Sequence, residues 1–447
     1  MSSSKDMGKG SVDLGPLDSA IAAALANDRD TALRHVGAIL EEDPSRSVAV
    51  LLAGRLLGEA GHLDIAKRAM LAAIDLSLLE GSLPRAIAAV VELRHLLSEP
   101  DGAIAKIAKL FARGSTQLMA QGAIPPALPR QRLSGIPLPK QLTGDALLAH
   151  VEKLVAAGEE QSQAFDESHR VPRQVLLSSL NESGLKRTLE VLDLVWVDAG
   201  TTVITQGEPG LEAFIVARGE LDVVRHGDDG ANITLARLSS GALFGEMALL
   251  SRAPRAASVI AARPSLLLVA RSDALSAVVA EEPDVGAVLA DYCRRRMVDN
   301  LVRTSKILGS VEPKERPELM KCFQTRSYEA GEKLIVQGQQ ADGLHLIASG
   351  EVSVVFEDGV DKTVLAHLRA GEVVGEISLV LRRPSGANVV ASVPTVSLHL
   401  PQSEFLGIVK RYPELLSHLY ELAVERDDMT RSIVAQEASE ADDLVLL

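Results

Sequence analysis

Only two cysteines, Cys293 and Cys322, occur among the 447 residues. Two thiols cannot build a disulfide framework or a cysteine-based metal cluster, and such usage suits a reducing compartment. Aromatic residues make up 3% of the chain, with a single tryptophan, Trp196, so its cores must be built from Leu, Val, Ile and Ala. No apolar run reaches the ~20 residues a membrane helix needs. The polar stretch Met1–Gly15 lacks the apolar centre of a secretory signal. These absences predict a cytoplasmic protein with no membrane insertion. Basic charge is also short: 46 Lys and Arg stand against 60 Asp and Glu, for a formal net charge of -14. Nucleic-acid affinity rests on cations that neutralise phosphates, so no nucleic-acid partner is expected. The run Arg294-Arg295-Arg296 reads as a solvated helix face. In so acidic a chain, a small anionic ligand would need a dedicated local cation.

Apolar residues are plentiful, at 47% of the chain, and the length predicts two to four domains. Residues 1–16 are expected to be disordered. Residues 17–117 carry small and apolar residues at helical spacing, with a self-match at an offset of 34 that pairs Ala20 with Gly54, Ala32 with Ala66, Val36 with Met70 and Ile39 with Ala73. This resembles tetratricopeptide repeats, although a generic array of helical hairpins fits the periodicity equally well. Either form exposes a long surface suited to a protein partner. Residues 118–143 are Pro-rich and predict an extended linker, and 144–174 predict a connecting helix.

From about residue 175 the pattern changes to short β-like runs punctuated by glycine. The pattern then repeats: Gly200, Gln206, Gly207, Gly219 and Glu220 recur as Gly331, Gln337, Gly338, Gly350 and Glu351, a constant offset of 131. A constant offset means one domain in two copies, 175–309 and 310–435, followed by an acidic tail at 436–447. Many short strands with glycine turns predict closed β-rolls or jelly rolls. The expected fold class is therefore α+β and multidomain: an N-terminal α-helical repeat array, then two β-roll/jelly-roll barrels with flanking helices.

The most informative stretch runs from Phe244 to Ala257. Gly245 opens a helix-like segment where backbone N–H groups can approach an anion. Glu246 is an acceptor suited to a sugar hydroxyl. Arg255 is a fork suited to phosphate oxygens. About fourteen consecutive positions resemble the phosphate-binding cassette of the cyclic-nucleotide-binding domain family, which includes the regulatory subunits of cAMP-dependent protein kinase, cyclic-nucleotide-gated channels and the bacterial catabolite activator protein. The resemblance implies that Glu246 binds the ribose 2′-hydroxyl and Arg255 the cyclic phosphate. It implies that Gly245, Met247, Ala248, Ala256 and Ala257 complete the site, and that Leu249 couples the cassette to the following helix. Family members preferring cGMP commonly carry threonine after the phosphate arginine. Alanine at 256 therefore implies cAMP as the preferred ligand, with cGMP as the alternative.

Two departures bear on the site. A carboxylate buttresses the phosphate arginine in kinase regulatory subunits, whereas the aligned residue here is Leu211, with Glu212 adjacent as a substitute. The second copy keeps Gly375, Glu376, Ile377 and Ser378, but Ser385 stands at the phosphate-arginine position. Asp342 occupies the buttress position there, and Arg382 or Arg383 could reach in. A degenerate second site is expected. Tyr292 and Tyr328 are candidates for capping a base, and Trp196 is expected to be core.

No catalytic set or metal cluster stands out, and His345 and the other histidines read as packed or surface residues. The expected function is a non-enzymatic cyclic-nucleotide receptor that converts binding into altered domain arrangement and partner contact. A structural scaffold with non-binding barrels and an inhibitory kinase regulatory subunit remain as alternatives. The stretch 169–174 is a poor match to the inhibitor segment of the latter. A helix-turn-helix transcription factor does not fit the short acidic C-terminal segment.

Overall fold

The structure, a computed structural model, describes residues 15–97, 101–120, 142–166, 168–226, 231–247, 254–304, 311–312, 314–359 and 361–445. The expected disordered N-terminus, except its last two residues, and most of the Pro-rich linker lie outside them. The chain forms two compact units. The first takes residues up to Val203 with 214–244 and 258–288, and the second takes 204–213, 245–257 and everything from Leu289 onward.

The first unit begins with helices α1 (Pro16–Leu25), α2 (Arg29–Glu42), α3 (Ser47–Glu59), α4 (Leu63–Leu79), α5 (Leu83–Leu97) and α6 (Asp101–Phe111). Asp28 caps α2 by accepting from the Thr31 N–H at 3.2 Å. The offset of 34 falls where α3 and α4 repeat α1 and α2. Ala20, Ala32 and Ala66 are fully buried, and a Cβ on Gly54 would lie 2.8 Å from Ala69 Cβ. Small residues thus set how closely α3 and α4 approach. Helix α7 (Gly144–Ser162) packs on α2, α3 and α4. It joins the helical array, where the sequence predicted a connector to the next domain.

Helix α8 (Glu182–Val191) leads into strands β1 (Asp193–Val197), β2 (Thr202–Ile204), β3 (Glu212–Arg218), β4 (Glu220–His226), β5 (Asn232–Ser239), β6 (Leu243–Phe244), β7 (Ser258–Ala261) and β8 (Ser265–Arg271). They form two four-stranded sheets, in the orders β1-β8-β3-β6 and β2-β7-β4-β5. Trp196, expected in the core, is only half-buried: its Nε1 donates to Glu92 Oε1 at 2.6 Å and Arg55 lies over its ring. Two helices follow, α9 (Ser272–Glu281) and α10 (Pro283–Thr304).

The second unit contains α11 (Arg316–Lys321), β9 (Gln324–Tyr328), β10 (Lys333–Ile335), β11 (Gly343–Ser349), β12 (Glu351–Asp358), β13 (Asp361–Arg369), β14 (Val373–Val374), α12 (Glu376–Leu381), β15 (Asn388–Ala391), β16 (Thr395–Pro401), α13 (Gln402–Arg411) and α14 (Pro413–Val445). Its sheets run β9-β16-β11-β14 and β10-β15-β12-β13, strand for strand the order of the first domain. Even the pairing irregularity recurs, between Val223 and Val224 in one copy and Val354 and Val355 in the other. Leu344, Leu346, Leu398 and Leu400 meet Phe405 and Leu419 in the core of this copy. The acidic segment expected as a tail continues α14 as far as Val445.

Candidate ligand site

Residues 204–213, 245–257 and α10 from Leu289 belong to the same compact unit, and the first cassette is built from them. Gly245 sits at φ 75, a left-handed conformation that a side chain would strain. The main chain of Arg255 is clamped to the β2–β3 turn: Gly207 N–H donates to Arg255 O at 2.8 Å, and Arg255 N–H donates to Glu208 O at 2.9 Å. This fixes where its side chain starts.

The guanidinium then folds inward. Arg255 Nη1 donates to Gly245 O at 2.9 Å and Nη2 to Glu212 O at 2.8 Å. The residue that permits this is Gly210, where a Cβ would lie 2.0 Å from Arg255 Nε. Burial holds Arg255 below the ordinary arginine range, while the nearby charges of Glu212 and Glu246 act to raise it. The buttress is thus the Glu212 main-chain carbonyl, with the Glu212 carboxylate close enough to act through its charge. Leu211, at the aligned position, points out and is exposed.

Glu246 is buried, at 4% exposure. Its Oε1 accepts from Arg296 Nε at 3.4 Å, and Cys293 Sγ lies 3.9 Å from its main-chain oxygen. Arg296 therefore does not belong to a solvated face, as the sequence predicted, although Arg294 and Arg295 are exposed and pair with Asp291. Tyr292 is half-buried beside Arg296 and Glu246, and burial pushes its hydroxyl pKa up. Met247 is half-buried, Ala257 partly buried and Ala256 exposed. Ala248 and Leu249 lie outside the described residues.

The second cassette repeats this frame with different side chains. Gly375 stands at φ 92. Gly338 N–H donates to Ser385 O and Ser385 N–H to Gln339 O, both at 2.8 Å, the bonds that Arg255 makes in the first copy. The Ser385 hydroxyl is spent on Ala387 O at 2.8 Å, and the counterpart of Gly210 is Ala341. Glu376, at 2% exposure, is held by Arg426 of α14, whose Nη1 lies 3.0 Å from Glu376 Oε1 and 2.6 Å from Val373 O. Burial pushes the Glu376 carboxyl up, and Arg426 opposes this. A cavity of about 730 Å³ is lined by Gly375, Glu376, Ile377, Ser378 and Ser385, with apolar side chains of β12 and α14. Arg383 also lines it but pairs with Asp427. Arg382 ends α12 in a left-handed conformation. Tyr328 stands edge-on to His345, 6.2 Å between centroids.

Two β-domains of one topology, each with a glycine-opened turn and a buried glutamate held by an arginine from a later helix, are two copies of one type of domain. Residues 194–282 and 325–412 match the family model of the cyclic nucleotide-binding domain. The chain therefore carries two such domains in tandem, and in this it resembles regulatory subunits of cAMP-dependent protein kinase. The subunit of Colletotrichum orbiculare is 30% identical over 210 residues, covering 45% of this chain and 51% of its own. That of Aspergillus niger is 31% identical over 231 residues, covering 49% and 54%. That of Yarrowia lipolytica is 28% identical over 284 residues, covering 63% and 71%. This chain spans about half the length of the first two relatives. Among solved structures, the regulatory domain of Toxoplasma gondii PKA with cAMP is 26% identical and covers 56% of this chain and 94% of its own, with a TM-score of 0.28, too low to compare the folds in detail.

Proposed function

We propose that this protein is a non-catalytic cyclic-nucleotide receptor that takes cAMP at the first cassette and passes the occupancy to a protein partner. The observation that carries this reading is the state of Arg255. Its guanidinium is partly desolvated, and the hydrogen bonds it makes among the described residues go to two neutral main-chain carbonyls. A desolvated cation held this way favours an incoming monoanion. Arg296 neutralises Glu246 nearby, so that carboxylate can accept a ribose hydroxyl without repelling the phosphate.

In the second domain the arginines that line the cavity are already paired, Arg426 with Glu376 and Glu372, and Arg383 and Arg431 with Asp427. A cyclic phosphate there would lack a counter-charge. This favours a single cAMP site per chain.

The route outward runs through α10, because Arg296 and Cys293 both touch Glu246. Ligand that alters these contacts shifts the helix between two states according to its affinity for each. The relatives are named as kinase regulatory subunits, which makes a protein-kinase catalytic subunit the leading partner. The stretch 169–174 does not offer an inhibitor segment: Val171 is fully buried and bonded to 117–119 through Met119 N–H and Gln117 O. The surface of the helical hairpins is the more suitable contact. Among the described residues no helix is long and apolar enough to cross a membrane.

Calorimetry with cAMP and cGMP on the full chain tests the site. One saturable cAMP site, weakened about tenfold or more by Arg255→Ala and weakened also by Glu246→Ala, is the expected result. Unchanged binding in the Arg255 variant would sink the assignment, and two equal sites would refute the reading of the second domain.

A further inference from the structure

We propose that Asp342, His345 and His399 form a binding site for a divalent transition-metal ion of the zinc class in the second β-domain. The three residues are scattered in sequence, and the histidines read there as packed or surface residues. Antiparallel pairing of β11 with β16 puts His345 directly opposite His399, so both imidazoles project from the same face of the sheet. Asp342 immediately precedes β11 and reaches back over the pair.

Two of the three donor–donor distances match those of a tetrahedral ion. Asp342 Oδ1 lies 3.4 Å from His345 Nε2 and 3.2 Å from His399 Nε2. One donor atom from each of the three residues lies within 4.8 Å of the others. Zinc bonds of about 2.0–2.1 Å in a tetrahedron set its ligand atoms about 3.3 Å apart. Two imidazole nitrogens and one carboxylate oxygen are a donor set that zinc and its neighbours accept. The Asp342 side chain is 55% exposed, which leaves an entry for the ion and a place for a water as fourth ligand.

The surroundings support the ring positions. His345 Nδ1 meets Ser397 Oγ at 3.1 Å, a contact that can take the Nδ1 proton when Nε2 turns its lone pair to an ion. Arg326 Nη1 takes the other carboxylate oxygen, Asp342 Oδ2, at 2.6 Å. A Cβ on Gly343 would lie 2.4 Å from His399 Nε2, so only glycine leaves room at the centre.

Without an ion, His399 is expensive. It is 1% exposed; among the described residues its Nδ1 has no hydrogen-bond partner and its Nε2 faces only the Asp342 carboxylate. Buried polar atoms are rarely left so. The first domain shows what the fold places here when no ion is called for: the equivalent positions are Leu211, Phe214 and Val269. All three become metal-ligating types together in the second copy. Ala341, the neighbour of Asp342, donates its N–H to Ser378 Oγ at 3.0 Å, so an ion at this point would also steady the turn beside the second cassette.

Full-length protein stripped with a chelator and titrated with Co2+, then displaced with Zn2+, provides the test. One Co2+ per chain with a visible d–d absorption band is expected, and Zn2+ should abolish the band and raise the thermal unfolding midpoint. His399→Asn and Asp342→Asn should each weaken Co2+ binding at least about tenfold. Asp342→Asn alters an exposed carboxylate, so it reports even if the buried histidine variant fails to fold. No visible band, or a stoichiometry and affinity unchanged in Asp342→Asn, would overturn the proposal and leave the three residues as a purely polar cluster.

Discussion

Arg426 places Nη1 3.0 Å from Glu376 Oε1 across a chain separation of 50 residues, and Arg296 stands against Glu246 at that same separation. Each barrel thus has its cassette glutamate held by an arginine from a helix that follows it. The pairing is part of the duplicated unit, although the two copies diverge where one has Arg255 and the other Ser385.

Removing one partner of such a pair leaves a buried charge uncompensated. Arg426→Ala should destabilise the protein by about 3 kcal/mol, read as a lower midpoint in chemical denaturation. The double variant Arg426→Met with Glu376→Leu should recover most of the loss. Equal destabilisation in both variants would show that packing, not the charge, is what matters.

Gly210→Ala should reproduce the Arg255 defect without touching the arginine. The added methyl would occupy the space of Arg255 Nε, and the guanidinium must leave its carbonyl partners. Affinity for cAMP should fall about tenfold or more, with the circular dichroism spectrum unchanged. Wild-type affinity in this variant would mean that the inward arginine pose is not the binding pose.

Ala256 is exposed beside Arg255. Ala256→Thr should raise cGMP affinity by a factor of about 2 to 10, the value of one net hydrogen bond, and leave cAMP nearly unaffected. Competition of the two nucleotides against a fluorescent analogue reads this ratio.

Burial, aided by the charge of Glu246, pushes the Cys293 thiol up to about 12. At pH 8 only about one molecule in ten thousand carries the reactive thiolate. Iodoacetamide followed by mass spectrometry should label the partly exposed Cys322 first. Labelling of Cys293 should rise about tenfold per pH unit. The unfolded chain ionises this thiol at a lower pH than the folded one, so its contribution to stability is complete below about 9 and is lost as pH climbs towards 12. Rapid labelling of Cys293 at pH 8 would show that α10 does not sit on the cassette in solution.

The duplication, the barrels and the arginine–glutamate cassette were legible in the sequence because glycines needed for turns recur at a fixed offset and the cassette is contiguous. The partners of those residues were not. Arg296 sits in a run of three arginines, and nothing local distinguishes the one that turns inward from the two that pair with Asp291. Arg426 and the Asp342–His345–His399 cluster exist only through pairing between distant segments. Gly210 could have been found by asking which residue the 131 offset places opposite it. For the buttress the sequence named the residue, Glu212, but not the group: its main-chain carbonyl accepts from Arg255, and carbonyls leave no mark on side-chain alignment.

Ala341 has a consequence for how the two barrels can change. Restoring arginine at 385 alone would drive its guanidinium into a methyl group, so Ser385→Arg by itself should gain no cAMP binding. Only with Ala341→Gly should a second equivalent of nucleotide bind. Neither step should bring a benefit without the other, so the second barrel would be held as if by a ratchet, with no single-step way to a cAMP site.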